Sequence, residues 1–335
     1  MPETSGITTG TGAPGDARAA ATFRLSVIVP MYNEAQSADA FFEALLPVCR
    51  SVTDRFEIVC VDDGSSDGTM ACLTGWAARE PAIRVLSFTR NFGKEAALTA
   101  AIDHCDGDAV VSIDADLQMR PEVIPDMVAA WREGWDVVAA TRADRATDSS
   151  RRAFFSRHFY RFFNRIADTA IPPETGDFRL LDRAVIAALR TLPERNRFMK
   201  GLFAWVGFRV TTITYDHKER HAGDSKFNPW KLWNFALDGI TSFSTWPLRM
   251  WSYLGFAVAG AAFLYGGFII LKTLVVGEDV PGYASLITVT LFLGGVQLIS
   301  LGVLGEYIGR IMIETKHRPL YLVRERRGFD EGEAE

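Results

Sequence analysis

Two long uncharged stretches near the C-terminus constrain this chain more than any other feature it has. Leu254 to Leu271 is 18 residues without a charge, and the apolar character continues through Lys272 to Val276. Tyr283 to Leu304 adds 22 more, interrupted only by Gln297. At about 1.5 Å per residue, each can cross a hydrocarbon core of roughly 30 Å. Lys272 stands near the end of the first stretch, where its long stem can carry the ammonium to the interface. The alternative, a core hairpin of a soluble protein, is disfavoured by length. The connection holds Glu278 and Asp279 and no Lys or Arg, whereas Lys218, Arg220, Lys226, Lys231 and Arg249 precede the first stretch. Arg310, Lys316, Arg318, Arg324, Arg326 and Arg327 follow the second. The positive-inside rule then gives a multi-pass cell-membrane protein with both termini in the cytoplasm.

Composition narrows the rest. The 36 basic and 41 acidic side chains give a formal net charge of −5, which argues against a protein that coats nucleic acid. Cys49, Cys60, Cys72 and Cys105 lack metal-ligand spacing and read as reduced cytosolic thiols. Residues 1–22 read as a disordered leader. Gly10, Gly12 and Gly15 spell a dinucleotide fingerprint there, but nothing like a strand precedes them. The expected organisation is a cytosolic domain over 23–226, a juxtamembrane amphipathic segment over 227–250, transmembrane helices over 251–276 and 283–309, and a cytosolic tail over 310–335.

Two stretches suit a membrane interface. Arg157, Arg161 and Arg165 recur every fourth residue beside Phe155, Phe159, Phe162 and Ile166, a basic stripe next to an aromatic one on a helix. Packing against the domain explains that pattern equally well. Trp230, Trp233, Trp246 and Trp251 cluster just before the first span, where interface anchors belong. Gly255, Gly260, Gly266 and Gly267 permit close helix packing and hence a homo-oligomer.

From Phe23 onward, near-continuous apolar runs over 25–30, 56–61, 82–88, 109–114 and 136–142 alternate with amphipathic stretches near 35–50, 67–79, 93–105 and 121–133. Such runs are strands buried on both faces, and the alternation predicts an α/β fold: an open, mainly parallel sheet with helices on both faces. Ligands of such sheets bind beyond the carboxyl ends of the strands. There stand Pro30-Met31-Tyr32-Asn33-Glu34, Asp62-Asp63-Gly64, Thr89 to Lys94, and Asp114-Ala115-Asp116-Leu117-Gln118. Carboxylates gathered at several strand ends suit a hard cation. Asp114 and Asp116, two apart at a strand end, can share one Mg²⁺ or Mn²⁺ that keeps positions open for a diphosphate. Asp106-Gly107-Asp108 has the same spelling but precedes its strand and reads as a turn. The 63–68 loop resembles the start of a calcium loop, but Ser65 and Thr74 stand at ligand positions. A nucleobase or ribose suits that loop better. Walker A, G-x-S-x-G and H-E-x-x-H sequences are missing, which argues against three large enzyme classes.

The ordered series PMYNE, VDDGSSDGT, TRNFGKEAAL, DADLQ, TGDFRLLDR, ERNRFMKGL and RHAGDSKF, with two apolar spans behind it, resembles the family-2 glycosyltransferases of GT-A fold. More narrowly it is similar to the polyprenyl-phosphate glycosyltransferases, the group of dolichol-phosphate mannose synthase and the bacterial GtrB-type enzymes. The resemblance covers about residues 24–325. It implies metal-dependent, inverting transfer of one sugar from a nucleotide-diphosphate sugar to polyprenyl phosphate at the cytoplasmic face, with UDP-glucose the first choice. GDP-mannose, a UDP-aminosugar or a modified pentose stands as the alternative donor, and a non-enzymatic membrane scaffold as the alternative class. By that resemblance Pro30, Tyr32, Glu34, Asp63 and Lys94 serve the donor nucleotide. Asp114 and Asp116 hold the metal, and Gln118 lies near the diphosphate or sugar. Arg142 and Arg220 match phosphate-contacting arginines, Arg152 and Ser156 match the acceptor-phosphate site, and Ser225 and Lys226 close over it. The Q-x-x-R-W motif of the processive polysaccharide synthases is missing, which favours transfer of a single sugar.

Overall fold

β1 (Leu25–Met31) is apolar at every second position and apolar or small at the others, so it can be buried only in the middle of a sheet with cover on both faces. The computed structural model places it there. It describes Arg18 and residues 22–142, 177–195, 197–215, 246–276 and 282–329. The chain divides into two units: residues 1–158, 171–227 and 319–335, and residues 159–170 with 228–318.

In the first unit β1 is followed by α1 (Ala38–Val52), β2 (Phe56–Asp62), α2 (Thr69–Arg79), β3 (Ile83–Phe88), α3 (Lys94–His104) and β4 (Ala109–Ser112). Then come α4 (Ile124–Arg132), β5 (Val137–Arg142), β6 (Arg179–Asp182), α5 (Arg183–Thr191), α6 (Met199–Trp205) and β7 (Val210–Tyr215). One sheet joins the strands in the order β7-β5-β6-β4-β1-β2-β3-β8, where β8 is Val323–Arg327. Alternate β1 residues Leu25, Val27, Val29 and Met31 face a core shared with Phe41, Phe42 and Leu45 of α1 and Met127 and Trp131 of α4. The opposite face of β1 and β2 is covered by α3, whose alanines 96, 97, 100 and 101 are all buried. Small side chains there let the helix lie close on the sheet. Helices therefore cover both faces, as the alternation predicts.

The five strands and four helices expected from the sequence form within a few residues of the runs that signalled them. β4 stops early, at Ser112, so Asp114 and Asp116 belong to the turn beyond it. The sheet is more mixed than expected: four pairings are parallel and three, β3 with β8, β4 with β6 and β5 with β6, are antiparallel. The tail is also not a free tail. Its strand β8 closes the sheet edge beside β3, a pairing hidden in the sequence because four of its five residues are charged. Within the expected leader, Arg18 is docked, with its guanidinium 3.2 Å from Asp136 and 3.1 Å from Asp182.

In the second unit α7 (Trp246–Val276) and α8 (Tyr283–Thr315) run roughly 45–50 Å each at about 1.5 Å per residue. Their large apolar side chains point outward, Phe263 82% and Leu274 79% exposed. Within α8, Phe292–Thr315 is long and apolar enough to cross a membrane, while Tyr253–Ile269 of α7 is shorter. Expectations for the 155–166 stripe, Trp230 and Trp233 lie outside the described residues.

Candidate active site

The strand order places the site. β2 and β3 lie on one side of β1 and β4 on the other, so successive connections diverge at the carboxyl ends of β1 and β4 and open a crevice there. Residues 32–37 leave β1, 62–68 leave β2, 89–93 leave β3 and 113–120 leave β4, all at that edge.

These loops are tied to one another. Asn33, in the left-handed conformation at φ 57°, receives the Ser66 amide on its side-chain oxygen at 2.9 Å and donates its own amide to Ser65 Oγ at 2.9 Å. The Glu34 amide donates to Thr69 Oγ1 at 2.8 Å. Buried Asp62 accepts from the Ser65 amide and from Ser87 Oγ. Asp63, expected to line the nucleoside pocket, accepts the amides of Phe92 at 2.6 Å and Gly93 at 2.9 Å, so its carboxylate holds the loop leading to Lys94. Tyr32, the residue after β1, is 48% exposed beside this loop cluster.

Lys94, first residue of α3, is the hub. Its ammonium donates to Asp114 Oδ2 at 2.8 Å and to Asp177 Oδ2 at 2.7 Å, and Lys200 Nζ lies 3.9 Å from the other Asp177 oxygen. Burial opposes the charge on Lys94, but the two carboxylates outweigh it and hold the ammonium protonated above its ordinary range. The two acids differ. Burial works against both, yet Lys94 and Lys200 hold the Asp177 carboxyl below the usual range. Asp114 has Lys94 but also faces Asp177 and Asp116, and stays raised. Glu34 is raised too, by burial first; its bond from Ser37 opposes this, and Asp116 and Asp114 add to it. Asp114, Asp116 and Glu34 thus lie near enough for their negative charges to oppose one another, while the Lys94 ammonium is bound to Asp114.

Asp116 Oδ1 accepts the Gln118 amide at 3.1 Å across Leu117, whose φ of 57° makes the tight turn. Among the described residues no group of three His, Cys, Asp or Glu side chains is set to hold a metal. Two carboxylates two residues apart are donors of the kind a hard divalent ion takes when its other ligands are phosphates and water, although Asp114 Oδ2 here accepts from Lys94. Pro30 sits at the end of β1, and Arg142 is the last residue of β5, at the edge where Tyr215 ends β7. Arg152, Ser156, Arg220, Ser225 and Lys226 lie outside the described residues.

Four site residues escape a reading of strand ends. Asp177 and Arg179 come from the entry to β6, and Glu95 and Lys200 from helices. Glu95 accepts the Met199 amide at 3.2 Å, and burial first, then Asp177, pushes its carboxyl up to about 7. Arg179 is buried with its guanidinium 4.2 Å over the Phe203 ring, and burial lowers it to about 10 despite Asp177 and Glu95. The charged pair in GDFR was the available signal, but nothing in the sequence says that Asp177 meets a lysine 83 positions earlier.

Carboxylates gathered beyond the strand ends at the switch point of a mixed sheet mark the candidate site, and the comparisons with known proteins name the class. Residues 26–190 match the glycosyl transferase family 2 model and residues 246–311 match the GtrB C-terminal hairpin. The chain belongs to glycosyl transferase family 2. It is 51% identical to an uncharacterized glycosyltransferase of Synechocystis sp., over 92% of this chain and 97% of that one. It is 50% identical to the bactoprenol glucosyl transferase of Shigella phage SfV, over 90% of this chain and 98% of that one. The prophage bactoprenol glucosyl transferase homolog of Escherichia coli K12 is 48% identical, with 90% and 98% covered. Among solved structures, the mannosyltransferase PcManGT from Pyrobaculum calidifontis, in complex with GDP-Man and Mn²⁺, is 19% identical, with a TM-score of 0.46 over 90% of this chain and 86% of that one.

Proposed function

We propose that this chain transfers one glucose from UDP-glucose to a polyprenyl phosphate at the cytoplasmic face of a membrane. The observation that carries the transferase reading is the acid pair Asp114 and Asp116 beyond β4, with the Lys94 ammonium bound to Asp114 and Asp177, at the switch point of the sheet. The acceptor and sugar rest on about half-identity, along nine-tenths of the chain, to bactoprenol glucosyl transferases. Mg²⁺ or Mn²⁺ held by Asp114 and Asp116 would supply Lewis-acid stabilisation of the departing diphosphate. Lys94 adds a fixed positive charge where the leaving group becomes more negative. Tyr32 offers a ring face to the nucleobase, and Arg142 and Arg220 serve the phosphates.

The acceptor needs little activation. A phosphate monoester has a second pKa of roughly 6, so it is largely a dianion at neutral pH and no strong general base is required. Arg152, Ser156, Ser225 and Lys226 receive it, and its attack on the anomeric carbon from the face opposite the diphosphate inverts that carbon. Both α7 and α8 span the bilayer, leaving both termini in the cytoplasm. Gly255, Gly260, Gly266 and Gly267 have no neighbour against the position of a side chain among the described residues, and small residues of this kind suit close packing against a second copy. A scaffold without activity would have no need of the acid pair beside a clamped lysine.

The test uses detergent-solubilised full chain, undecaprenyl phosphate and a panel of UDP- and GDP-sugars, with mass spectrometry of the lipid. A glucosyl-phosphoryl lipid formed with Mg²⁺ or Mn²⁺ and lost on chelation is expected. Product from another donor replaces the sugar, and neither product nor nucleotide binding overturns the reading.

A further inference from the structure

Lys94 is delivered to Asp114 and Asp177 by a loop with no regular structure, residues 89–93, ending on Gly93 at φ 99°. Left to itself such a loop samples many conformations, and the lysine would meet its carboxylates only part of the time. Two outside groups hold it. One is the 62–68 loop: Asp63 accepts two of its amides, and Gly64 packs so closely against the Arg90 and Asn91 backbone that a Cβ there would collide with it.

The other is the segment that follows α8. The Thr89 amide donates to Leu322 O at 3.0 Å, and Arg324 Nη2 donates to Thr89 O at 2.7 Å. Both backbone groups of the loop's first residue are thereby taken. The Tyr321 ring stacks on Phe88 at 5.1 Å and 14°, and Phe88 meets Phe92 edge-on at 5.7 Å. The Tyr321 hydroxyl donates to Asp103 at 3.0 Å, on the helix that Lys94 opens. Tyr321 therefore touches what comes just before the loop and, at one remove, what comes just before Lys94.

We infer that the C-terminal segment is a positioning element of the transfer site: Tyr321, Leu322 and Arg324 fix the loop that presents Lys94 to Asp114 and Asp177. This rests on reading that cluster as the transfer site. A purely structural tail would close the sheet edge and stabilise the domain without touching catalysis. The two roles differ in whether Tyr321 acts through Lys94.

A double-mutant cycle in the full-length detergent-solubilised protein separates them, using kcat and KM for the nucleotide sugar in wild type, Tyr321→Ala, Lys94→Ala and the double variant. Tyr321→Ala is expected to lower kcat/KM roughly ten-fold, as displacement of a positioned group does. In the Lys94→Ala background it should cost less than about two-fold. Tyr321→Phe, which keeps the ring, should recover most of the loss. Full activity in folded Tyr321→Ala, or losses that multiply in the double variant, overturns the inference. Amide hydrogen exchange gives a readout that needs no turnover: Phe92 and Gly93 should exchange faster in Tyr321→Ala and Arg324→Ala while β1 amides keep their rates, and uniform acceleration counts against it. If wild type makes no lipid product with any donor, the functional reading fails by itself, and the exchange experiment still decides the role of the tail.

Discussion

Replacing Asp116 by Ala removes half of the carboxylate pair without disturbing the core, because Asp116 is exposed and, among the described residues, is bonded only to the neighbouring Gln118 amide. Transfer is expected to fall about 10²-fold or more, several kcal/mol of transition-state stabilisation. Thermal unfolding should move by no more than about 0.5 kcal/mol. Glu95 makes the opposite kind of prediction. Its folded pKa of about 7 stands above the ordinary 4.5, so the folded state binds its proton more tightly. Its contribution is therefore fully present below about 4.5 and is lost as pH rises to about 7. Glu95→Gln keeps an acceptor for the Met199 amide and has no proton to lose. The stability of the variant relative to wild type should therefore increase across that window, by on the order of 2–3 kcal/mol, as read from unfolding at several pH values. At this scale the sequence was only partly legible. Asp114 and Asp116 announce themselves by spacing at the end of a β-branched run. Asp177, Arg179 and Glu95 do not, since their chemistry depends on which strand β6 sits beside and how deeply α3 is buried.

Among the elements, the loop after β2 shows how backbone shape serves the site. Gly64 has φ 66°, and the Arg90 and Asn91 backbones lie against it. Gly64→Ala should cost about 1–3 kcal/mol. It should also weaken nucleotide-sugar binding by pushing the 89–93 loop away, and calorimetric binding beside thermal unfolding checks both. A variant that loses stability alone would separate the loop from the site. Legibility here followed burial. β1 to β5 are apolar runs because both faces of the sheet are covered, and they could be read directly. β6 has four residues, β7 (VTTITY) lies at an edge with three threonines and every second residue exposed, and β8 is nearly all charge. Those three owe their conformation to the partner strand, which single-chain periodicity does not contain.

At the scale of the molecule, the sheet is assembled from parts separated by the two apolar helices. A chain ending at residue 318 lacks β8 and leaves the amides and carbonyls of β3 open along the edge. Such a chain is expected to elute as larger species in size-exclusion chromatography, and a peptide spanning 319–335 added in trans should restore the smaller one. Equal elution with and without residues 319–335 would mean the edge needs no cover. The two apolar helices themselves were plain from uncharged length, whereas the return of the chain to the sheet was not.

That return also sets a clock. Thr89 and Arg324 are bonded across 235 positions, all of them synthesised after β3 is complete. At roughly 5–20 residues per second the edge of β3 waits on the order of ten to fifty seconds for its last partner. By then both apolar helices have left the ribosome. Completion of the lysine-bearing loop thus comes after the hairpin is available for insertion, and a chain stalled before its last strand is left with an unfinished site.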